Sequence, residues 1–199
     1  MTLRSYLFPI AILLLGLSFL LNLSLGSVWI PFGEIIEGLV SGDWTKTSWE
    51  QIILNYRLPK ALVAIFAGIG LSLSGLQMQT FFRNPLAGPY ILGLNAGAGL
   101  AVATGLLTGF SFMKTDLGIV SLALLGAFLS GIIILGFSTF LRNTVSLLLV
   151  GIMLGSFASA ITSIVQTLST GESIKSLMLW GMGSLQNVQL EQIPLILVL

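Results

Sequence analysis

Charge is missing from most of this chain. Residues 5–33, 61–82, 84–113, 117–141 and 143–171 contain no Asp, Glu, Lys or Arg. A helix needs about 20 mainly apolar residues to cross a bilayer, and each of these five stretches can hold one. Inside hydrocarbon every backbone N–H and C=O must find a partner within the protein, which a helix supplies by itself. A charged side chain at mid-bilayer costs at least about 2.5–3.5 kcal/mol, so charge is pushed into the joints. The pattern predicts an all-α fold, a polytopic transmembrane helical bundle with five complete spans and the start of a sixth near Glu191. Only 8% of the 199 residues are charged, against about 25% in soluble domains, too few to coat a soluble globule.

What is absent narrows the chemistry. The chain has no His and no Cys, so Ser–His and Cys–His nucleophiles cannot be built. The usual ligands of zinc, haem and iron–sulfur groups are missing too. No Walker A sequence occurs, and Gly68-Ile69-Gly70 lacks the third glycine of a dinucleotide fingerprint. Gly70-Leu71-Ser72-Leu73-Ser74-Gly75 is out of register for a nucleophile elbow. A net charge of +1 gives no case for nucleic acid. Apart from Lys60 and Glu191 at span mouths, no charged residue lies within an expected span, which argues against a proton relay.

The first run, Leu7 to Leu25, is longer than a signal-peptide core and lacks a small-residue cleavage site, so an uncleaved helix is expected. The polar stretch Ser27–Tyr56 carries Trp29, Trp44 and Trp49, as an interfacial belt would, and Pro31 announces a short surface helix. The second span is expected from about Leu58 to Gln79, where Arg83-Asn84-Pro85 breaks the helix. The third runs from about Tyr90 to Phe110, the fourth from Leu117 to Leu141 and the fifth from Val145 to Leu168. Residues 173–183 form a short interfacial helix. With apolar residues still running at Leu199, the chain reads as truncated at its C-terminus.

Small residues recur every four positions. Gly151, Gly155, Ser159 and Ser163 make a ridge on the fifth span, and Gly93 and Gly97 open the third. Gly68 with Ser72, and Ala123, Ala127 and Gly131, repeat the spacing in the second and fourth spans. Such ridges let helices approach closely. Ser156, Ser159, Ser163 and Gln166 also share a face. That stripe either hydrogen-bonds a neighbouring helix or lines a wet path, and Asn95 poses the same alternative. Arg57 and Lys60 stand at the mouth of the second span, as snorkelling anchors or as a docking point for an acidic partner. A positive-inside count divides five against three, with all seven carboxylates on the side of the five, and decides orientation weakly.

Certain blocks are specific. Arg57-Leu58-Pro59-Lys60, then Gly75-Leu76-Gln77-Met78-Gln79 leading into Arg83-Asn84-Pro85-Leu86-Ala87, then Gly93-Leu94-Asn95-Ala96-Gly97-Ala98-Gly99, resemble the FecCD-type permeases. These belong to ABC importers for iron–siderophore, haem and cobalamin chelates. Leu149-Val150-Gly151-Ile152 and Leu179-Trp180-Gly181-Met182-Gly183-Ser184-Leu185 resemble later blocks of the same family.

The resemblance implies a single transmembrane permease domain over residues 1–199, the first part of a ten-helix subunit. It implies no enzyme activity and no cofactor bound by this chain, with ATP and Mg held on two cytoplasmic ATPase partners. A permease dimer partner, an extracytoplasmic substrate-binding protein and membrane lipid complete the partners; nucleic acid is not among them. By the same resemblance Arg57 and Lys60 dock the binding protein, with Lys60 where Arg is usual. Asn95, Ser156, Ser159, Ser163 and Gln166 would border the translocation path. Arg83, Asn84 and Pro85 would form a cytoplasmic turn in a bacterial inner membrane protein whose N-terminus is cytoplasmic. The alternative expectation is a non-transporting scaffold or an inactive fragment.

Overall fold

The structure, a computed structural model, describes residues 4–85, 88, 90, 92–108, 115–141, 143–185, 188, 190 and 193. Regular structure among them is entirely helical. The order is α1 (Arg4–Ser24), α2 (Phe32–Ser41), α3 (Thr47–Ile52), a π-helical turn (Ile53–Arg57), α4 (Leu58–Phe82), α5 (Leu94–Thr108), α6 (Asp116–Ser138), α7 (Thr144–Thr167) and α8 (Gly171–Met182). Among the described residues four segments are long and apolar enough to cross a membrane: Tyr6–Ser24, Thr47–Phe82, Asp116–Ser138 and Thr144–Thr167. Side chains such as Phe8, Leu13, Phe128 and Leu135 are more than half exposed, as a lipid-facing surface requires.

Two sequence expectations change, both at the start of a span. The third span is expected from about Tyr90 to Phe110; α5 is described over Leu94–Thr108, and residues 109–114 lie outside the described residues. α5 starts late because Gly93 adopts φ +69°, outside the helical region. The second span begins earlier than Leu58, because α3, the π turn and α4 run together as one 36-residue helix, roughly 50 Å long. The sixth span, apart from Ile193, lies outside the described residues, as do Arg142, Leu86 and Ala87.

The chain divides into two compact units, residues 1–69 with 185–199, and residues 70–184. In the first, Leu23, Ile30, Ile35 and Ile53 form a buried cluster, with Phe19, Trp44, Trp49, Ile52 and Leu58 packed against it. This cluster joins the end of α1 to α2 and to the start of the long helix. Pro31 precedes the first turn of α2, and Gly42 ends that helix at φ +79°, its N–H on the Gly38 carbonyl. Thr45 donates to a Glu34 carboxylate oxygen, and the Lys46 ammonium stands 4.5 Å over the Trp49 ring.

In the second unit α5 is the central helix, touching α6, α7 and α8. One cluster gathers Phe82, Leu92, Ile134 and Leu147. The other gathers Val102, Ala103, Leu106, Val165 and Leu177, with Trp180 of α8 against it. Helix starts are capped as the sequence allows: the Thr115 side chain accepts from Gly118 N at 3.1 Å, Asn143 Oδ1 from Val145 N at 3.0 Å, and Thr170 Oγ1 from Ser173 N at 3.4 Å. Each cap satisfies one otherwise orphaned N–H.

Candidate functional site

The mouth of the long helix is shaped by one proline. In a continuous helix Pro59 cannot donate to the carbonyl four residues back, and its ring would strike that carbonyl. The chain answers with the wide turn Ile53–Arg57, where the Leu58 N–H reaches the Ile53 carbonyl five residues back. Pro59 itself is fully buried. Single π turns of this kind recur at functional sites.

Arg57 closes that turn and aims its guanidinium at the end of α1. Nη1 donates to the carbonyls of Leu23 at 2.7 Å and Ser24 at 3.1 Å, and Nη2 donates to the carbonyl of Val28. The first two are among the last carbonyls of α1, which have no intrahelical partner, and a cation there also meets the negative end of the helix dipole. Ser24 pairs reciprocally with Ile30: its Oγ donates to the Ile30 carbonyl at 2.7 Å, and its own carbonyl accepts from Ile30 N at 3.1 Å. Three residues on, Lys60 is exposed. With Asn22 and Tyr56 it borders an open cleft of about 570 Å³.

The glycines found in the sequence meet in the second unit. A Cβ on Gly93 would stand 2.7 Å from the Gly151 carbonyl oxygen and 2.8 Å from Gly155 N. A Cβ on Gly97 would strike Ser130 Oγ and come within 2.9 Å of the Gly126 carbonyl oxygen. So Gly93 seats α5 on α7, and Gly97, one turn later, seats it on α6. The fourth-span ridge differs from the expected Ala123, Ala127 and Gly131: Gly126 and Ser130 make the close approach. Gly68 would meet nothing within 4 Å if it carried a Cβ.

The Ser/Gln stripe lies on the far side of α7. Ser156, Ser159 and Ser163 are exposed and Gln166 is half-buried, while Leu147, Gly151, Ala158 and Val165 are buried. Ser156 and Ser163 bond their own helix, donating to the Ile152 and Ser159 carbonyls at 3.0 and 3.1 Å. The expected four-residue ridge therefore divides: Gly151 and Gly155 face α5, Ser159 and Ser163 do not. Four residues turn a helix by about 400°, so the ridge drifts off any fixed face. Asn95 is exposed on the first turn of α5.

After Phe82 the chain turns at Arg83, which has φ +47°. Asn84 N bonds the Gln79 carbonyl at 3.1 Å and Arg83 N the Thr80 carbonyl at 3.3 Å. This is the Schellman pattern, with arginine where glycine is usual. Asn84 is half-buried and Pro85 exposed.

The model of the FecCD transport family matches residues 13–199. The chain belongs to that family. It is 35% identical over 197 residues to the vitamin B12 import system permease protein BtuC of Klebsiella pneumoniae, covering 98% of this chain and 56% of that one. The BtuC of Salmonella newport is 35% identical over 188 residues, with 94% and 54% covered. A solved structure described as an inward-facing conformation of an ABC transporter of metal-chelate type superposes with a TM-score of 0.76 at 29% identity. That match covers 95% of this chain and 56% of the other. The chain thus spans about half the length of the relatives it matches.

Four-residue spacing found the glycines and the proline after Arg83-Asn84 found the turn, but sequence reasoning missed the partners of Arg57. They lie 29 to 34 residues away and are backbone carbonyls, which no residue type announces. The nearest available sign was Gly26, where a Cβ would stand 2.6 Å from Arg57 Nη2.

Proposed function

We propose that this FecCD family chain belongs to the permease subunit of an ABC importer that carries a bulky chelate, of iron–siderophore, haem or cobalamin type, across a bacterial inner membrane. Its N-terminus is cytoplasmic and the Arg57 mouth faces outward. The subunit pairs with a second permease, two ATPases on the cytoplasmic side hydrolyse ATP with Mg, and an extracytoplasmic binding protein delivers the chelate to the Arg57–Lys60 mouth. The chain itself performs no covalent chemistry. Its contribution is a path whose two arrangements are biased by nucleotide events on the partners.

The observation that carries this reading is the FecCD family match over residues 13–199; within it the exposed serines of α7, set among exposed Ile152, Phe157 and Ile164, are the candidate path. Ser156 and Ser163 satisfy their own hydroxyl protons within the helix, so the face offers water and chelate a neutral polar wall without needing a helix partner. A large chelate is not held by buried charge on such a wall, and Asn95 adds one more exposed polar side chain. The test is uptake by the full-length permease reconstituted with its ATPase and binding protein. ATP-dependent accumulation of cyanocobalamin or a ferric hydroxamate chelate is expected, and Ser159→Trp should abolish it while leaving assembly intact. Undiminished uptake by Ser159→Trp would return the stripe to a packing role.

A further inference from the structure

We propose that α2 is a membrane-binding helix, lying in the headgroup region with Phe32, Ile36, Leu39 and Val40 turned into zwitterionic phospholipid. Only the crossing of a membrane by this chain is assumed; neither cargo nor docking partner enters. Helical spacing puts those four residues on one side of α2, and Glu34, Glu37 and Ser41 on the opposite side. The protein packs against a third side. There Ile35 joins the cluster of Leu23, Ile30 and Ile53, and a Cβ on Gly38 would strike the Trp44 ring. These two contacts fix the roll of α2. Ile36 is left 54% exposed and Val40 83%. Glu34 is held on the polar side, where Thr45 donates to its carboxylate.

The place of α2 in the chain says what covers the stripe. Tyr6–Ser24 of α1 is long and apolar enough to span, with about 28 Å of helix against hydrocarbon near 30 Å. The chain that leaves α1 is therefore at headgroup level. Leu21 on α1 and then Leu25, Val28 and Trp29 are all exposed, so apolar side chains continue from the α1 surface to the start of α2. Tryptophan favours this boundary. An apolar stripe opposite a charged face is what an in-plane helix needs.

The charge selects the lipid. In-plane helices are commonly rich in Lys and Arg on the polar face, whereas α2 has two carboxylates and no basic residue. Residues 27–56 hold Glu34, Glu37, Asp43 and Glu50 against Lys46 alone. Anionic leaflets attract basic segments and by the same field repel this one.

The test uses single-cysteine variants of the full-length permease, labelled with bimane, in vesicles of phosphatidylcholine brominated on its acyl chains. Bromine quenches a label that touches lipid, and iodide quenches one that touches water. Ile36→Cys and Val40→Cys should be quenched by bromine and shielded from iodide, like Leu13→Cys on the exposed surface of α1. Glu37→Cys and Ser41→Cys should show the reverse. In mixed vesicles, brominated phosphatidylglycerol should compete for position 40 about fivefold less well than brominated phosphatidylcholine, the worth of roughly one charge at a membrane surface. Glu34→Gln with Glu37→Gln should erase that preference.

Iodide reaching positions 36 and 40 would overturn the proposal. So would shielding of both from bromine and iodide alike, which would mean that a protein surface covers the stripe. Equal competition by the two lipids would overturn the choice of zwitterionic lipid. If Leu13→Cys were also open to iodide, the membrane reading itself would fall, and α2 as a membrane helix with it.

Discussion

Both compact units bury apolar clusters, but their closest contacts between helices are made differently. Residues 70–184 add to their two apolar clusters a set of contacts made by removing side chains: Gly93 against Gly151 and Gly155, Gly97 against Gly126 and Ser130. Residues 1–69 make theirs by adding them: Ile30, Ile35 and Ile53 fill a cluster under Trp44 and Trp49, and Arg57 ties the end of α1 by its fork. The difference follows from the solvent. Between helices in lipid there is no hydrophobic drive to association, so close backbone contact does the work. At the polar connections between spans, water is present, and burying isoleucine is again favourable.

Substitutions can break or sharpen this contrast. Ile53→Ala should be the most damaging, costing about 2–5 kcal/mol as a buried Ile→Ala change does, read as a large fall in apparent Tm in detergent. Gly97→Val should cost about 1–3 kcal/mol from overpacking and should loosen α5 from α6. If Gly97→Val were harmless, the close approach would not be what holds the second unit. Arg83→Gly should raise stability by about 1 kcal/mol, because a left-handed φ is free for glycine and costly for other residues. A loss there would show that the Arg83 side chain stabilises the fold. Ser163→Ala should change stability by less than about 0.5 kcal/mol, since its hydroxyl bonds only its own helix.

Much of the helix layout was legible in the charge-free stretches, because lipid imposes one requirement on every residue of a span. The starts of α6 and α7 fall within a residue of the expectation, where Thr115 and Asn143 provide caps. The misreadings have local causes. The third helix begins at Leu94 rather than near Tyr90 because hydropathy does not register the turn at Gly93. The second was drawn too short because α3 carries Trp49 and Glu50, which look like loop in composition and are helical in fact. Ridges at every fourth residue located the small residues but not which ones touch, as the choice of Gly126 and Ser130 over Ala123 and Ala127 shows. At the candidate site, the Ser/Gln face could be drawn from spacing alone. The partners of Arg57 could not, because backbone carbonyls are the same in every sequence.

In the proposed importer the α7 serine face borders an aqueous path while the outer face of α6 borders lipid. The chain has no cysteine, so single-cysteine variants of the full-length importer report cleanly. Ser159→Cys and Ser163→Cys on α7 should react with a membrane-impermeant thiol reagent in at least one nucleotide state, and bound chelate should protect them. Phe128→Cys on α6, at a position 66% exposed, should stay unlabelled. Equal labelling at all three positions, or labelling of Phe128→Cys alone, would contradict the account.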